Sequence, residues 1–145
     1  MMPLVNQICS PSRILLIDDD AALLEGLAEM LRIRLQSVHV DLCHGSAFAV
    51  RMLQHGQYDV ILCDVNMPNT NGLELLPRLR KANADASILM MSATLDYSIS
   101  NRALADGATG FVSKPFDRDA LTMTLKQALK RHCLSPSYSG TCTAV

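Results

Sequence analysis

Three consecutive aspartates, Asp18, Asp19 and Asp20, close one short apolar run of the chain, and Asp64 closes another; Ser92 follows a third, and Lys114, with Pro115 behind it, a fourth. Carboxylates are the ligands a hard divalent cation takes, and Mg2+, which keeps several waters, asks for only one or two of them. On that reading Asp19 and Asp64 supply direct carboxylates and Asp18 acts through water. Three carboxylates held close without a cation raise at least one pKa through like-charge repulsion, so the set itself argues for a metal. A carboxylate is also a weak nucleophile, and moving a phosphoryl group onto it depends on positioning and on neutralising the phosphoryl oxygens. Mg2+, Lys114 and the Ser92 hydroxyl could divide that work.

Taken singly, each residue has a plainer explanation. An acidic cluster at a strand-to-helix junction caps the helix and complements its dipole. A lone aspartate before Val-Asn-Met-Pro starts a turn. Ser92 alone is a loop hydroxyl and Lys114 a surface charge. The chemical reading requires convergence, and convergence depends on the elements between them.

Those elements alternate. Residues 14–17 (ILLI) form an apolar run too short for a helix and without polar interruption, as a strand covered on both faces should. Leu24, Leu27, Ala28, Leu31 and Leu35 then recur at three- and four-residue steps, one stripe of a helix with Asp20 as its N-cap. Strands follow at 38–42, 60–63, 88–91 and 110–112, and helices at 46–55, 73–82, 97–105 and 117–132. The last helix has Asp117 as N-cap and a Phe116–Leu121 staple; the third carries Pro77, which deletes a hydrogen bond unless the helix starts late. Five strands alternating with five helices predict an α/β fold, a doubly wound five-stranded parallel sheet of flavodoxin-like type with right-handed crossovers. In such a sheet ligands gather at the carboxyl ends of the strands, where all the residues named above fall.

Composition narrows the function. The 145 residues have the length of one domain, and 49% hydrophobic content suffices for a core. A formal net charge of -1 gives no basic field for nucleic acid or an anionic membrane surface, and 4% aromatic residues offer few stacking platforms. Cys9, Cys43, Cys63, Cys133 and Cys142 include no C-x-x-C pair, which suits reduced thiols in a cytoplasmic protein. The start lacks a signal peptide's basic and apolar regions, and no apolar run approaches a membrane span. His39, His44, His55 and His132 share no ligand spacing; Met90 and Met91 belong to the sheet; Lys126, Lys130, Arg131 and His132 complement the dipole of the last helix. Residues 1–11 read as an N-terminal extension, 12–132 as the domain, and 133–145, without periodicity, as a disordered tail.

The strings ILLIDDDAALLEGL, YDVILCDVNMPNTNGLELL, ILMMSA and DGATGFVSKPF resemble the receiver domain of two-component response regulators over roughly residues 12–132, in a length similar to the chemotaxis regulator that is a receiver alone. The resemblance implies Asp64 as phosphoacceptor, Asp18 and Asp19 as the metal-binding acidic pair, and Asn66 as the residue whose backbone carbonyl binds the metal. It implies Ser92 as the switch hydroxyl, Lys114 as the phosphoryl-contacting lysine and Phe111 as the aromatic that changes rotamer. Many relatives have Thr and Tyr where this chain has Ser92 and Phe111. The implied donor is a sensor histidine kinase or histidine phosphotransfer protein. Output then goes through a partner protein, since no output domain fits after His132. Two other readings stay open: a haloacid-dehalogenase-type phosphatase, which wants an aspartate where Asn66 stands, and an interaction domain that needs no phosphorylation.

A phosphoryl group adds about two negative charges. If Ser92 and Lys114 each gain a charge-assisted hydrogen bond, about 3 to 6 kcal/mol becomes available, against about 5.5 kcal/mol for a shift from 1:99 to 99:1. The expected moving part is the helix at 97–105, whose YSISNRALA has modest helix propensity, with Phe111 turning inward beside it.

Overall fold

Apolar side chains in unbroken succession leave a strand no side for water, so it must be covered on both faces. A computed structural model of the chain, which describes residues 11–54, 56–68, 71–94 and 96–133, has this arrangement. The elements run β1 (Ser12–Asp18), α1 (Ala21–Arg34), β2 (Val38–His44), a 3-10 turn (Ser46–Phe48) entering α2 (Ala49–Gln54), and β3 (Val60–Asp64). They continue with α3 (Gly72–Ala82), β4 (Ser87–Ser92), α4 (Tyr97–Ala105), β5 (Gly110–Ser113) and α5 (Arg118–Cys133). The five strands pair in parallel in the order β2-β1-β3-β4-β5. β3 and β4 are buried along their whole length.

Side-chain alternation along the strands sorts the interior into two cores. Leu15, Ile17, Ile61, Cys63, Ile88 and Met90 face one side, where Ala49, Leu53, Leu76 and Leu79 from α2 and α3 cover them. Ile14, Leu16, Val60, Leu62, Leu89 and Met91 face the other, under Leu24, Leu31, Leu121 and Leu125 from α1 and α5. Met90 and Met91 are thus both core, on opposite faces. The expected stripe of α1 is buried, and Asp20 accepts the Leu23 N–H as its cap. Asp117 caps α5 through the N–H groups of Asp119 and Ala120.

Three local expectations need adjustment. The segment expected as one helix from 46 to 55 begins instead as a 3-10 turn with no side-chain cap, and only Ala49–Gln54 is α-helical; His55 lies outside the described residues. α3 begins at Gly72 and runs through Pro77. The ring sits on an exposed position, and only the bond to the Leu73 carbonyl is forfeited. β1 and β2 are longer than their apolar runs because parallel pairing with neighbours extends them from Ser12↔Val38 to Asp18↔His44. The N-terminal extension up to residue 10 and the tail from residue 134 lie outside the described residues.

At the amino edge of the sheet, Arg13 lies over the Tyr58 ring, 4.7 Å from its centroid, and donates to Asp41 at 3.2 Å. The Tyr58 hydroxyl donates to the same carboxylate at 2.6 Å. Edge strand β2 is thereby held to the turn that enters β3. Because Leu62 is fully buried at the sheet centre, Leu62→Ala should lower unfolding free energy by about 2–5 kcal/mol in denaturant titration. Ile33→Ala on the exposed side of α1 should stay within about 0.5 kcal/mol; equal costs would contradict the assigned layers.

Candidate functional site

Parallel strands all end at the same edge, so their last residues meet there whatever their separation in sequence. Asp18 and Asp64 are the final residues of β1 and β3, adjacent strands, and Ser92 is the final residue of β4. Asp18, Asp19 and Asp64 each present a carboxylate oxygen within 4.8 Å of the others. Asp18 and Asp64 are buried, at 1% and 3% exposure, whereas Asp19 is open to solvent. Lys114, just past β5, reaches back so that its Nζ lies 2.9 Å from Asp18 Oδ2 and 3.2 Å from Asp64 Oδ1. One ammonium is shared by two buried carboxylates.

Unequal sharing follows from the geometry. Burial pushes the Asp64 carboxyl up, the Asp18 charge adds to this, and Lys114 offsets only part, so Asp64 lies above the usual aspartate range. Burial also acts on Asp18. There the hydrogen bonds from Lys114 and from the Asp20 N–H outweigh it, and Asp18 lies below that range. Asp19 is raised by desolvation and by its contact with Asp18. Lys114 is raised, since its two carboxylate partners outweigh its own desolvation. The cluster carries more negative charge than one lysine neutralises, and three converging oxygens suit a hard divalent cation.

The remaining predicted residues are placed less uniformly. Asn66 gives its backbone N–H to Asp64 Oδ1 at 3.3 Å, and it lines the same open hollow as Asp19, Asn71 and Glu74. Ser92 is completely buried, and its hydroxyl does not bond to Asp64: it donates to the Thr94 carbonyl at 2.9 Å and accepts the Thr94 N–H at 3.1 Å. Phe111 pairs with Met90 across β4 and β5 and packs, half-buried, on the core face shared with Ile99 and Ala103 of α4. The Lys114–Pro115 peptide is cis.

Two residues that position Asp64 escaped the reading of the sequence. Asn71 caps α3 through the Leu73 N–H. Gly72 packs so tightly under the loop that a Cβ there would collide with the Asp64 carbonyl, and its N–H donates to the Val65 carbonyl at 2.7 Å. The signal was present as the Asn-Gly pair ahead of the helix, but a capping turn accounts for such a pair equally well.

Comparison with known proteins agrees with this geometry. Residues 14–126 match the family described as the response regulator receiver domain. The chain belongs to that family. The DNA-binding transcriptional regulator NtrC of Azospirillum brasilense is 36% identical over 83% of this chain and 24% of its own length. Response regulator MprA of Mycobacterium ulcerans is 33% identical over 82% of this chain and 50% of its own. The chain thus spans a quarter to a half of these curated relatives. The structure of chemotaxis protein CheY4 of Vibrio cholerae superposes with a TM-score of 0.76 at 27% identity, covering 82% of this chain and 99% of that one. The receiver is a phosphoacceptor module of two-component signalling, and the flavodoxin-like fold is shared with it. Among the described residues no helix is long and apolar enough to cross a membrane.

Ionised Asp64 is disfavoured in the fold, so its charge subtracts stability above its raised pKa and ceases to do so as pH falls through that pKa. In metal-free protein Asp64→Asn should therefore melt higher than wild type at neutral pH, with the gap closing on acidification. A lower melting temperature for the variant would mean that the Lys114 pairing outweighs burial. Gly72→Ala should weaken Mg2+ binding roughly ten- to hundredfold by displacing the Asp64 backbone, as measured by calorimetric titration.

Proposed function

We propose that Asp64 is the phosphoacceptor of this receiver, taking its phosphoryl group from a phosphohistidine on a sensor histidine kinase or a histidine phosphotransfer protein. The observation that carries the reading is the buried Asp64 carboxylate, at the carboxyl end of the central strand, 3.2 Å from Lys114 Nζ and beside two further aspartates. In the transfer one Asp64 oxygen bonds to phosphorus as the P–N bond of the donor breaks, and the imidazole departs with that electron pair. Asp18, Asp19, Asp64 and the backbone carbonyl of Asn66 would hold Mg2+, whose charge, when bound, would neutralise the phosphoryl oxygens and relieve the repulsion among the carboxylates. Lys114 needs only a short movement to give its Nζ to a phosphoryl oxygen, since it is already bonded to Asp64.

Ser92 has to exchange partners. Its hydroxyl leaves the Thr94 carbonyl to donate to the phosphoryl group, which reshapes the loop entering α4. Phe111, packed on the same core face as Ile99 and Ala103, follows and alters the surface formed by α4, β5 and α5.

The magnitude is smaller than a count of new bonds suggests. Both donors are satisfied before phosphorylation, so Ser92 gains only the difference between a neutral and a charge-assisted bond, about 1–2 kcal/mol, and Lys114 gains little. That is below the about 5.5 kcal/mol needed for a complete switch, and a protein partner selecting the active form supplies the rest. The same reading makes the module a signalling phosphoacceptor that assists its own phosphorylation and dephosphorylation. It also places the protein in the cytoplasm, with no direct contact to nucleic acid or membrane. Asn66 supports phosphoacceptance over phosphomonoester hydrolysis, because the residue two beyond Asp64 carries a carboxamide, which cannot donate a proton as an acid, where a dehalogenase-type phosphatase needs a second carboxyl group.

Incubation with acetyl phosphate and Mg2+ should label wild type with a hydroxylamine-labile phosphoryl group and leave Asp64→Ala unlabelled. Asp19→Asn should demand more Mg2+ for the same extent of labelling. Label persisting in Asp64→Ala would refute the assignment, and rapid turnover of assorted phosphomonoesters would favour the phosphatase.

A further inference from the structure

Arg80, near the end of α3, plays no part in the chemistry described above, yet it makes the densest set of hydrogen bonds of any side chain among the described residues. Its guanidinium donates to four backbone carbonyls in two separate turns. Nη1 reaches Asn83, Ala84 and Ala86 at 3.2, 2.9 and 2.7 Å, all in the turn from α3 to β4. Nε and Nη2 both reach Gly107, at 3.1 and 2.7 Å, in the turn that leaves α4 for β5. A planar fork of five N–H groups can join two turns in this way, whereas an ammonium cannot.

The turn that Arg80 grips is fixed in other ways too. Gly107 has φ +111, and a Cβ on it would press on Arg80 Cγ at 3.0 Å as well as straining the backbone. The Ala108 N–H bonds to the Ala103 carbonyl at 2.9 Å, a closed C-terminal cap. Thr109 donates its N–H to Ile88 and accepts the Ile88 N–H on its hydroxyl, which ties the turn to β4. Ala103, close to the end of α4, is the one fully buried residue of that helix.

Toward the other end of α4, Ile99 packs on the core but is only partly buried. Tyr97 is 86% exposed, and the Asp96 cap is satisfied entirely by its own first turn, through the Ile99 N–H and the Ser98 hydroxyl. This is also the end that follows the Ser92–Thr94 turn. We infer that Arg80 is a positioning residue for the switch: it pins the C-terminal end of α4, so that rearrangement at Ser92 swings the N-terminal end about the Gly107 turn instead of shifting the helix bodily. The surface around Tyr97 then changes most, and that around Leu104 least. The inference rests on the proposed role of Ser92 for its trigger, while the pinned end is a property of the unmodified protein.

The test compares wild type, Arg80→Gln and Arg80→Lys in the full chain by amide hydrogen exchange and by chemical-shift mapping. In unmodified protein, Arg80→Gln should lose protection at residues 103–108 by about tenfold or more, with β1 and β3 amides nearly unchanged. Arg80→Lys, which can hold only one turn at a time, should restore little of it. When Mg2+ and beryllofluoride are added as the phosphoryl mimic, wild-type shifts should be large at 96–100 and small at 103–109, and in Arg80→Gln the two groups should become comparable. Uniform loss of protection across the sheet in Arg80→Gln, or equal wild-type shifts at both ends of α4, overturns the inference. Absence of any response at Asp64 and Asn66 would count against the phosphoacceptor assignment instead, and the exchange result alone would then decide whether Arg80 pins the helix.

Discussion

Two buried carboxylates sharing one ammonium is the constraint on which the rest of this structure turns. Asp18 and Asp64 end neighbouring parallel strands, and the pairing of β1 with β3 leaves them no means of separating. Both strands are buried on both faces, so the cost of holding like charges together is met by the sheet's apolar contacts, spread over two cores. Lys114 relieves Asp18 more than Asp64, and the carboxylate left less compensated is the one at the sheet centre. A site in that condition favours whatever brings positive charge or neutralises an oxygen, and a divalent cation does both.

The surroundings of the cluster divide into rigid and exchangeable parts. On the rigid side, Gly72 allows α3 to start directly beneath the Asp64 carbonyl, and Asn71 caps that start, so the Asp64 backbone is held from below. On the exchangeable side, Ser92 is buried and its hydroxyl is bonded to the loop residue Thr94, through contacts that a stronger acceptor could replace. The Asp64 backbone is thus closely supported, while the Ser92 hydroxyl bonds within its own loop.

Exchange of partners, as opposed to creation of new bonds, limits the free energy available to such a switch. A hydroxyl that leaves one carbonyl for a charged oxygen gains about 1–2 kcal/mol, enough to bias a conformational equilibrium and not to saturate it. Ser92, unlike threonine, has no methyl group to fill the space it vacates, and Phe111, unlike tyrosine, brings no hydroxyl that could fix a second rotamer by hydrogen bonding. Coupling through the proposed switch would therefore depend on the core face that Phe111 shares with Ile99 and Ala103, and on how firmly α4 is held at each end.

Much of this was legible in the sequence because it follows from periodicity. Unbroken apolar runs could only be doubly covered strands, and their alternation with helical stripes could only build a parallel sheet; once that is granted, Asp18, Asp64, Ser92 and Lys114 fall at one edge with no further information. The resemblance to receivers then assigned roles, including that of Asn66, which no pattern of its own would have marked. What the sequence could not express was any relation that depends on distance between segments. The order of residues does not show that the Asp64 carbonyl lies against Gly72, that Pro77 takes an exposed position inside its helix, or that the Arg80 guanidinium joins two turns. Nor could the order of residues reveal that Lys114 is nearer Asp18 than Asp64, or that the Ser92 hydroxyl is already occupied. Local pattern determines which elements form and which edge they share, because burial acts on each segment's own side chains. Hydrogen-bond partners and the division of charge were decided only by the tertiary structure, because they depend on ångström-scale separations between residues far apart in the chain.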